Sequence, residues 1–176
     1  MALEIERRFL VDKDLFPSFI EGQKIYIKQG YVSKPEDSMV VRVRSSEIRS
    51  LDPYLIVSEL TIKRKLKTGI NKEFEFEIPN PEAIALFEEC GDKILSKTRC
   101  LWRLSDDLRI EIDFFHGKLE GVVIAEIEVD SLDRELVLPS FLTKEITTVK
   151  GLSNFDMVFN TEKALEIYAD QMRSLQ

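Results

Sequence analysis

Glu4 and Glu6 stand two residues apart at the start of the chain, followed by Arg7 and Arg8. In an extended strand alternate residues share a face, roughly 6.5 Å apart, so both carboxylates can converge on one hard cation at about 2.1 Å. Ligation by oxygen alone favours Mg²⁺ or Mn²⁺ over zinc. The same spacing recurs down the chain, with the charges largely sorted by sign. Glu4, Glu6 and Arg8 share one face, Arg42 and Arg44 another, and Thr61, Lys63 and Lys65 a third. Glu73, Glu75 and Glu77 follow, then Lys97, Arg99 and Arg103, then Arg109, Glu111 and Asp113, and finally Glu126, Glu128 and Asp130. Opposite these faces lie mainly apolar residues, such as Phe74 and Phe76, Ile110 and Ile112, or Ala125 and Ile127.

For any one segment this alternation is what a sheet half in water shows. Taken together, nearly every segment is charged on one side and apolar on the other, in clusters of one sign, where a merely solvated sheet would mix signs and use Thr, Ser and Gln. About eight such segments occur, near residues 3–11, 24–32, 39–46, 54–64, 72–78, 97–104, 109–114 and 122–130, and period-two alternation between turn signals reads as antiparallel strands. Eight strands close into a barrel whose lumen holds side chains or one small ligand. Carboxylates crowded there cannot all ionise without cations, and unpaired Arg and Lys there are costly to bury. A metal and a polyanion together satisfy both.

Helices are fewer. One is expected from Asn80 as N-cap, with Pro81 at its first position, to Gly91, and another over residues 160–173, where Ala164, Leu165, Ile167, Tyr168 and Met172 form an apolar stripe. Both could cover the outer apolar face of a barrel. Shorter helices are expected over residues 13–20 and 131–143. The fold class is therefore α+β, mainly β: a closed eight-stranded antiparallel barrel with flanking helices, as one domain over 1–176.

A chain of 176 residues with a net charge of −7 is ill suited to wrapping nucleic acid. Cys90 and Cys100 are too few for a disulfide framework and lack zinc spacing, which points to a reducing compartment. The N-terminus is charged at once and no apolar run reaches bilayer length, so a cytoplasmic protein without membrane contact is expected. His116, before Gly117, reads as a surface turn residue, the two cysteines as core, and Trp102 as packed on the outer, helix-covered face with Cys100 and Leu104.

These segments resemble the triphosphate tunnel metalloenzymes, or CYTH-domain proteins, over almost the whole chain. Glu4-Ile5-Glu6-Arg7-Arg8 is similar to the family's Glu-x-Glu-x-Lys signature, with Arg8 in the Lys position. Gln29-Gly30-Tyr31, Val41-Arg42-Val43-Arg44, Leu60-Thr61-Ile62-Lys63, Glu73 to Pro79, Lys97-Thr98-Arg99, Glu111 to Gly117, Glu126-Ile127-Glu128 and Ser153-Asn154 match in order. The resemblance implies an eight-stranded tunnel, divalent-metal dependence (Mg²⁺ or Mn²⁺) and a small-molecule triphosphate as substrate. By position it implies Glu4, Glu6 and Glu128 as metal ligands with Glu126 nearby. Phosphate oxygens fall to Arg8, Arg42, Arg44, Lys63 and Arg99, with Lys65 and Lys97 beside them. Glu73, Glu75, Glu111 and Asp113 would serve a second metal or the attacking water. The chain departs from the family in having Asn71-Lys72 where relatives place an Arg, and Lys150 where many show Arg-Tyr before Ser-Asn, so that Lys150 stands in for that contact. The His-Phe-x-x-Pro stretch of the cyclase branch is absent.

Inorganic triphosphate ranks first as substrate, because the short form containing Gln-Gly-Tyr resembles that branch and no base-recognition motif is visible. Nucleoside or thiamine triphosphate hydrolysis and cyclisation of ATP follow. The rivals of another class are a barrel that binds polyphosphate without turning it over and an interaction protein using the 160–173 helix. Homodimerisation stays open.

Overall fold

The structure, a computed structural model, describes residues 2–17, 24–50 and 53–175. Among these residues nine strands form one sheet: β1 (Ala2–Val11), β2 (Lys24–Tyr31), β3 (Val40–Ile48), β4 (Leu55–Lys67), β5 (Ile70–Glu77), β6 (Ile94–Arg103), β7 (Arg109–Phe115), β8 (Val123–Glu128) and β9 (Leu142–Glu145). Their order is β5-β4-β3-β2-β6-β7-β8-β1-β9, all neighbours antiparallel, and β5 also pairs with β1. Strand β1 closes the barrel by serving two partners in turn: residues 2–5 face β5, and residues 6–10 face β8. Eight strands thus make the wall, and β9 is an extra strand on the end of β1.

The wall is covered outside by two different structures, and a third closes part of one end. Helix α1 (Asn80–Cys90) lays Ala83, Phe87 and Cys90 on Val43. Its cap position is Pro79, one residue before the expected Asn80, whose Oδ1 instead accepts from Ser58 Oγ at 2.9 Å. Gly91 ends it at φ 57°, a left-handed conformation that favours glycine.

The outer face of β1, β6, β7 and β8 is covered without a helix. Residues 131–143, expected as a short helix, run as irregular chain into β9. Leu136 and Leu138 pack inward while Val137 is 92% exposed, a period of two, and Pro139 biases the residue before it away from helix. Trp102 therefore rests edge-on against Phe141, at 5.3 Å, and not under a helix. Of the helix expected over residues 13–20, residues 13–15 form a turn, Phe16 stacks on Phe141 and Phe114, and 18–20 lie outside the described residues.

Helices α2 (Asn154–Phe159) and α3 (Thr161–Arg173) close part of one barrel end. There the inward positions turn apolar: Leu10 follows Glu6 and Arg8 on β1, opposite Ile124. Leu95 and Phe115 join them under Leu152, Met157, Ala164 and Tyr168. The 160–173 helix thus covers a barrel end and not an outer face. No helix among the described residues is long and apolar enough to cross a membrane.

Candidate active site

The barrel encloses a cavity of about 830 Å³. Strand register decides which side chains meet in it. Glu6 lies directly opposite Glu128, Arg8 opposite Glu126, and Glu111 opposite Glu126. Like charges paired across strands are destabilising, so the β1–β8–β7 wall calls for positive charge. Burial, then Glu126 and Glu4, push the Glu6 carboxyl up to about 8. Burial, with Glu4 and Glu111, raises Glu128. Glu4 behaves differently: burial raises it, but Lys63 Nζ at 2.7 Å and Asn71 Nδ2 at 3.0 Å hold it below its ordinary value.

Among the described residues no three acidic, Cys or His side chains are already drawn together around a metal position. The donor set nevertheless fits a hard divalent cation, since Glu4, Glu6, Glu126 and Glu128 offer only oxygens from neighbouring strand positions, and the opposed Glu6 and Glu128 lack a full counter-charge.

The facing wall carries the cations. Arg42 Nη2 donates to Thr61 Oγ1 at 2.9 Å and lies 3.5 Å from Glu73 and 3.6 Å from Glu75. Lys63 reaches Glu73 at 3.3 Å. Arg44 is worse served: its buried Nε has no acceptor among the described residues, and burial, with Arg42 and Arg99 close by, lowers its pKa to about 10. Glu111 and Glu59, the latter opposite Arg44 in register, offset only part of that cost, so the site favours a further anion. Arg99 forks onto Asp113 and also contacts Glu111 and Glu126.

The segment before α2 supplies one end of the cavity. Arg8 Nη1 donates to Leu152 O at 2.7 Å, and Thr147, Lys150, Ser153 and Phe155 line the space. Fourteen of the sixteen expected site residues border the cavity: Glu4, Glu6, Arg8, Arg42, Arg44, Lys63, Lys65, Glu73, Glu75, Arg99, Glu111, Glu126, Glu128 and Lys150. Lys97 and Asp113 do not; they lie behind the surface, paired with each other at 2.5 Å. Burial should raise Asp113, but Lys97 and Arg99 hold it down at about 2, whereas burial pulls Lys97 below its ordinary value against the attraction of Asp113.

Asn71, where relatives place an Arg, holds Glu4 from its register position opposite that residue. Tyr31 was missed as a cavity residue, though period two places it on the face of Gln29, whose Nε2 donates to its hydroxyl at 2.8 Å. Phe155, edge-on to Tyr31 at 5.1 Å, had no signal, because a six-residue helix after an irregular loop leaves no readable period.

Fold and site together define a closed antiparallel tunnel protein whose wall sets carboxylates against Arg and Lys. No family model matches the chain. It is 32% identical to the inorganic triphosphatase of Acetivibrio thermocellus over 165 residues, covering 93% of this chain and 97% of that one. It is 28% identical to the inorganic triphosphatase of Nitrosomonas europaea over 156 residues, covering 86% and 93%. The solved structure of the inorganic triphosphatase NE1496 superposes with a TM-score of 0.63 at 27% identity, covering 91% of this chain and 97% of that one. The chain belongs to the triphosphate tunnel metalloenzyme, or CYTH-domain, family.

Proposed function

We propose that this protein hydrolyses inorganic triphosphate with the help of a divalent cation, Mg²⁺ or Mn²⁺, in the cytoplasm. The observation that carries the reading is one lumen with unrelieved like charge at two places. Carboxylates from β1 and β8 crowd one wall, and on the other stands Arg44, whose Nε has no acceptor among the described residues and whose burial outweighs the attraction of Glu111 and Glu59.

Phosphoryl transfer asks a protein mainly for positioning and neutralisation of charge. Glu4, Glu6 and Glu128, with Glu126 beside them, would hold the cation, which when bound supplies Lewis-acid neutralisation of phosphate oxygens. Arg42, Arg44 and Arg99 orient the phosphate chain from the facing wall, with Lys63 at the Glu4 side and Lys150 at the α2 end. Glu73, raised above its ordinary value chiefly by burial, and the more open Glu75 and Glu111 are placed to orient or accept a proton from an attacking water.

The test is phosphate release from tripolyphosphate with and without Mg²⁺ or Mn²⁺, beside ATP and thiamine triphosphate with a separate assay for cyclic AMP. Tripolyphosphate should be the best substrate, only with metal, and Glu6→Gln should abolish turnover while leaving the fold intact. Tight binding without turnover in the wild type would make the barrel a binding protein, and full activity of Glu6→Gln would remove that residue from the metal site.

A further inference from the structure

Two ionised groups of the lumen wall have no task in the reaction as described. Register turns Lys97 and Asp113 toward the lumen, yet their side chains are 0% and 1% exposed and neither borders the cavity. Asp113 accepts three hydrogen bonds from two cations: Arg99 Nε to Oδ1 at 2.7 Å, Arg99 Nη2 to Oδ2 at 2.7 Å, and Lys97 Nζ to Oδ2 at 2.5 Å. Asp113 and Arg99 are direct partners across β6 and β7, so the fork is set by the sheet itself.

We propose that Asp113 is a positioning residue that holds Arg99 in place for the phosphate chain and takes no metal. The inference rests on the lumen being a triphosphate site. A carboxylate offers about four acceptor positions, and three are already filled by charged donors. Its neighbour on the same face, Glu111, does border the cavity, which separates the parts the two carboxylates play. Arg99 has competing partners on the lumen side: Glu111 at its Nη1 and Glu126 at 3.0 Å from its Nη2. Without the fork the guanidinium keeps those two contacts but loses the pair of acceptors that fixes its plane, and it turns out of the orientation in which it meets the phosphate chain. Bidentate pairing fixes the guanidinium plane as a single bond cannot. Among the described residues Lys97 would then be left buried beside Arg99 with Asn154 Oδ1, at 3.5 Å, to accept from it.

Asp113→Asn keeps the shape and removes the charge and one acceptor. Calorimetry of tripolyphosphate with metal chelated should show affinity at least tenfold weaker than wild type, and KM should rise by a similar factor while kcat changes less. Mn²⁺ titrated into the protein alone should bind Asp113→Asn as it binds wild type. A fall in Mn²⁺ affinity would make Asp113 a ligand and overturn the proposal, as would wild-type tripolyphosphate affinity. Should Asp113→Asn fail to fold, Arg99→Lys, which keeps the charge but cannot fork, must show the same loss of tripolyphosphate affinity; undiminished affinity there rejects the fork. Because affinities are compared, the outcome is decided even where the wild type releases no phosphate, so failure of the hydrolase reading is told apart from failure of this one.

Discussion

Arg44 shows what the lumen costs the protein before any ligand arrives. Its guanidinium is buried beside Arg42 and Arg99 and its pKa falls to about 10. A basic group whose folded value lies below its unfolded value binds protons less well when folded, so the penalty is fully present below pH 10 and is relieved only as pH rises past it. At neutral pH Arg44→Met should therefore stabilise the ligand-free protein by about 1–2 kcal/mol, because a cation whose burial costs more than Glu59 and Glu111 return is exchanged for an apolar chain of similar reach. The same change should lower kcat/KM for tripolyphosphate by about 10²-fold, the scale on which single electrostatic contacts to a transition state are lost. Urea denaturation at pH 7 beside steady-state kinetics checks both signs at once. A variant that is less stable and still active would mean that Arg44 is structural.

At the scale of elements, the wall of the barrel was readable because one rule, period two, governs both its chemistry and its geometry. Glu73 and Glu75 on β5 face Lys63 and Thr61 on β4 because both strands alternate, and the register needed only the pleat. The covers were harder. Residues 131–141 pack Leu136 and Leu138 with no regular structure, and β9 is four residues long, too short for a period to show. Lys97 and Asp113 were placed on the correct face, yet alternation cannot tell a side chain on the cavity from one sealed behind it. The contact between α1 and the wall is testable at Gly30, which the sequence offers only as part of Gln-Gly-Tyr. A Cβ there would stand 2.7 Å from Cys90 Sγ and 3.1 Å from its Cβ, so the helix end approaches the strand as closely as a missing side chain permits. Gly30→Ala should cost about 1–3 kcal/mol, typical of overpacking. Because the clash is mainly with sulfur, Cys90→Ala should recover part of that loss in the double variant, and chemical denaturation of the four proteins should show non-additivity of at least about 0.5 kcal/mol. Strict additivity would mean that α1 shifts to make room.

For the whole molecule, the decisive property is that the lumen is nearly balanced in charge but unevenly laid out, with Glu6 opposed to Glu128 on one side and Arg44 crowded by Arg42 and Arg99 on the other. Its described lining holds eight carboxylates, counting Asp156, against seven Arg and Lys, so neither ion can enter alone without leaving a net charge enclosed. A divalent cation on the Glu4–Glu6–Glu128 side relieves repulsion there but adds to the positive field at Arg44, and a polyanion does the reverse. Each therefore improves the field for the other, and binding must be coupled, with each ligand raising affinity for the other by the same factor. Ligands that bind only the folded state stabilise it by about 2.7 kcal/mol at a hundredfold excess over Kd, roughly 5–10 °C in Tm for a chain of this length. Melting the protein with Mn²⁺ alone, with a non-hydrolysable imido analogue of tripolyphosphate alone, and with both should give a combined shift larger than the sum of the separate ones. High salt should shrink all three less than it would for exposed charges, since the site is enclosed. Shifts that merely add would show the two halves of the lumen to be independent, and the barrel would then be a container for two ions and not a device that brings them together.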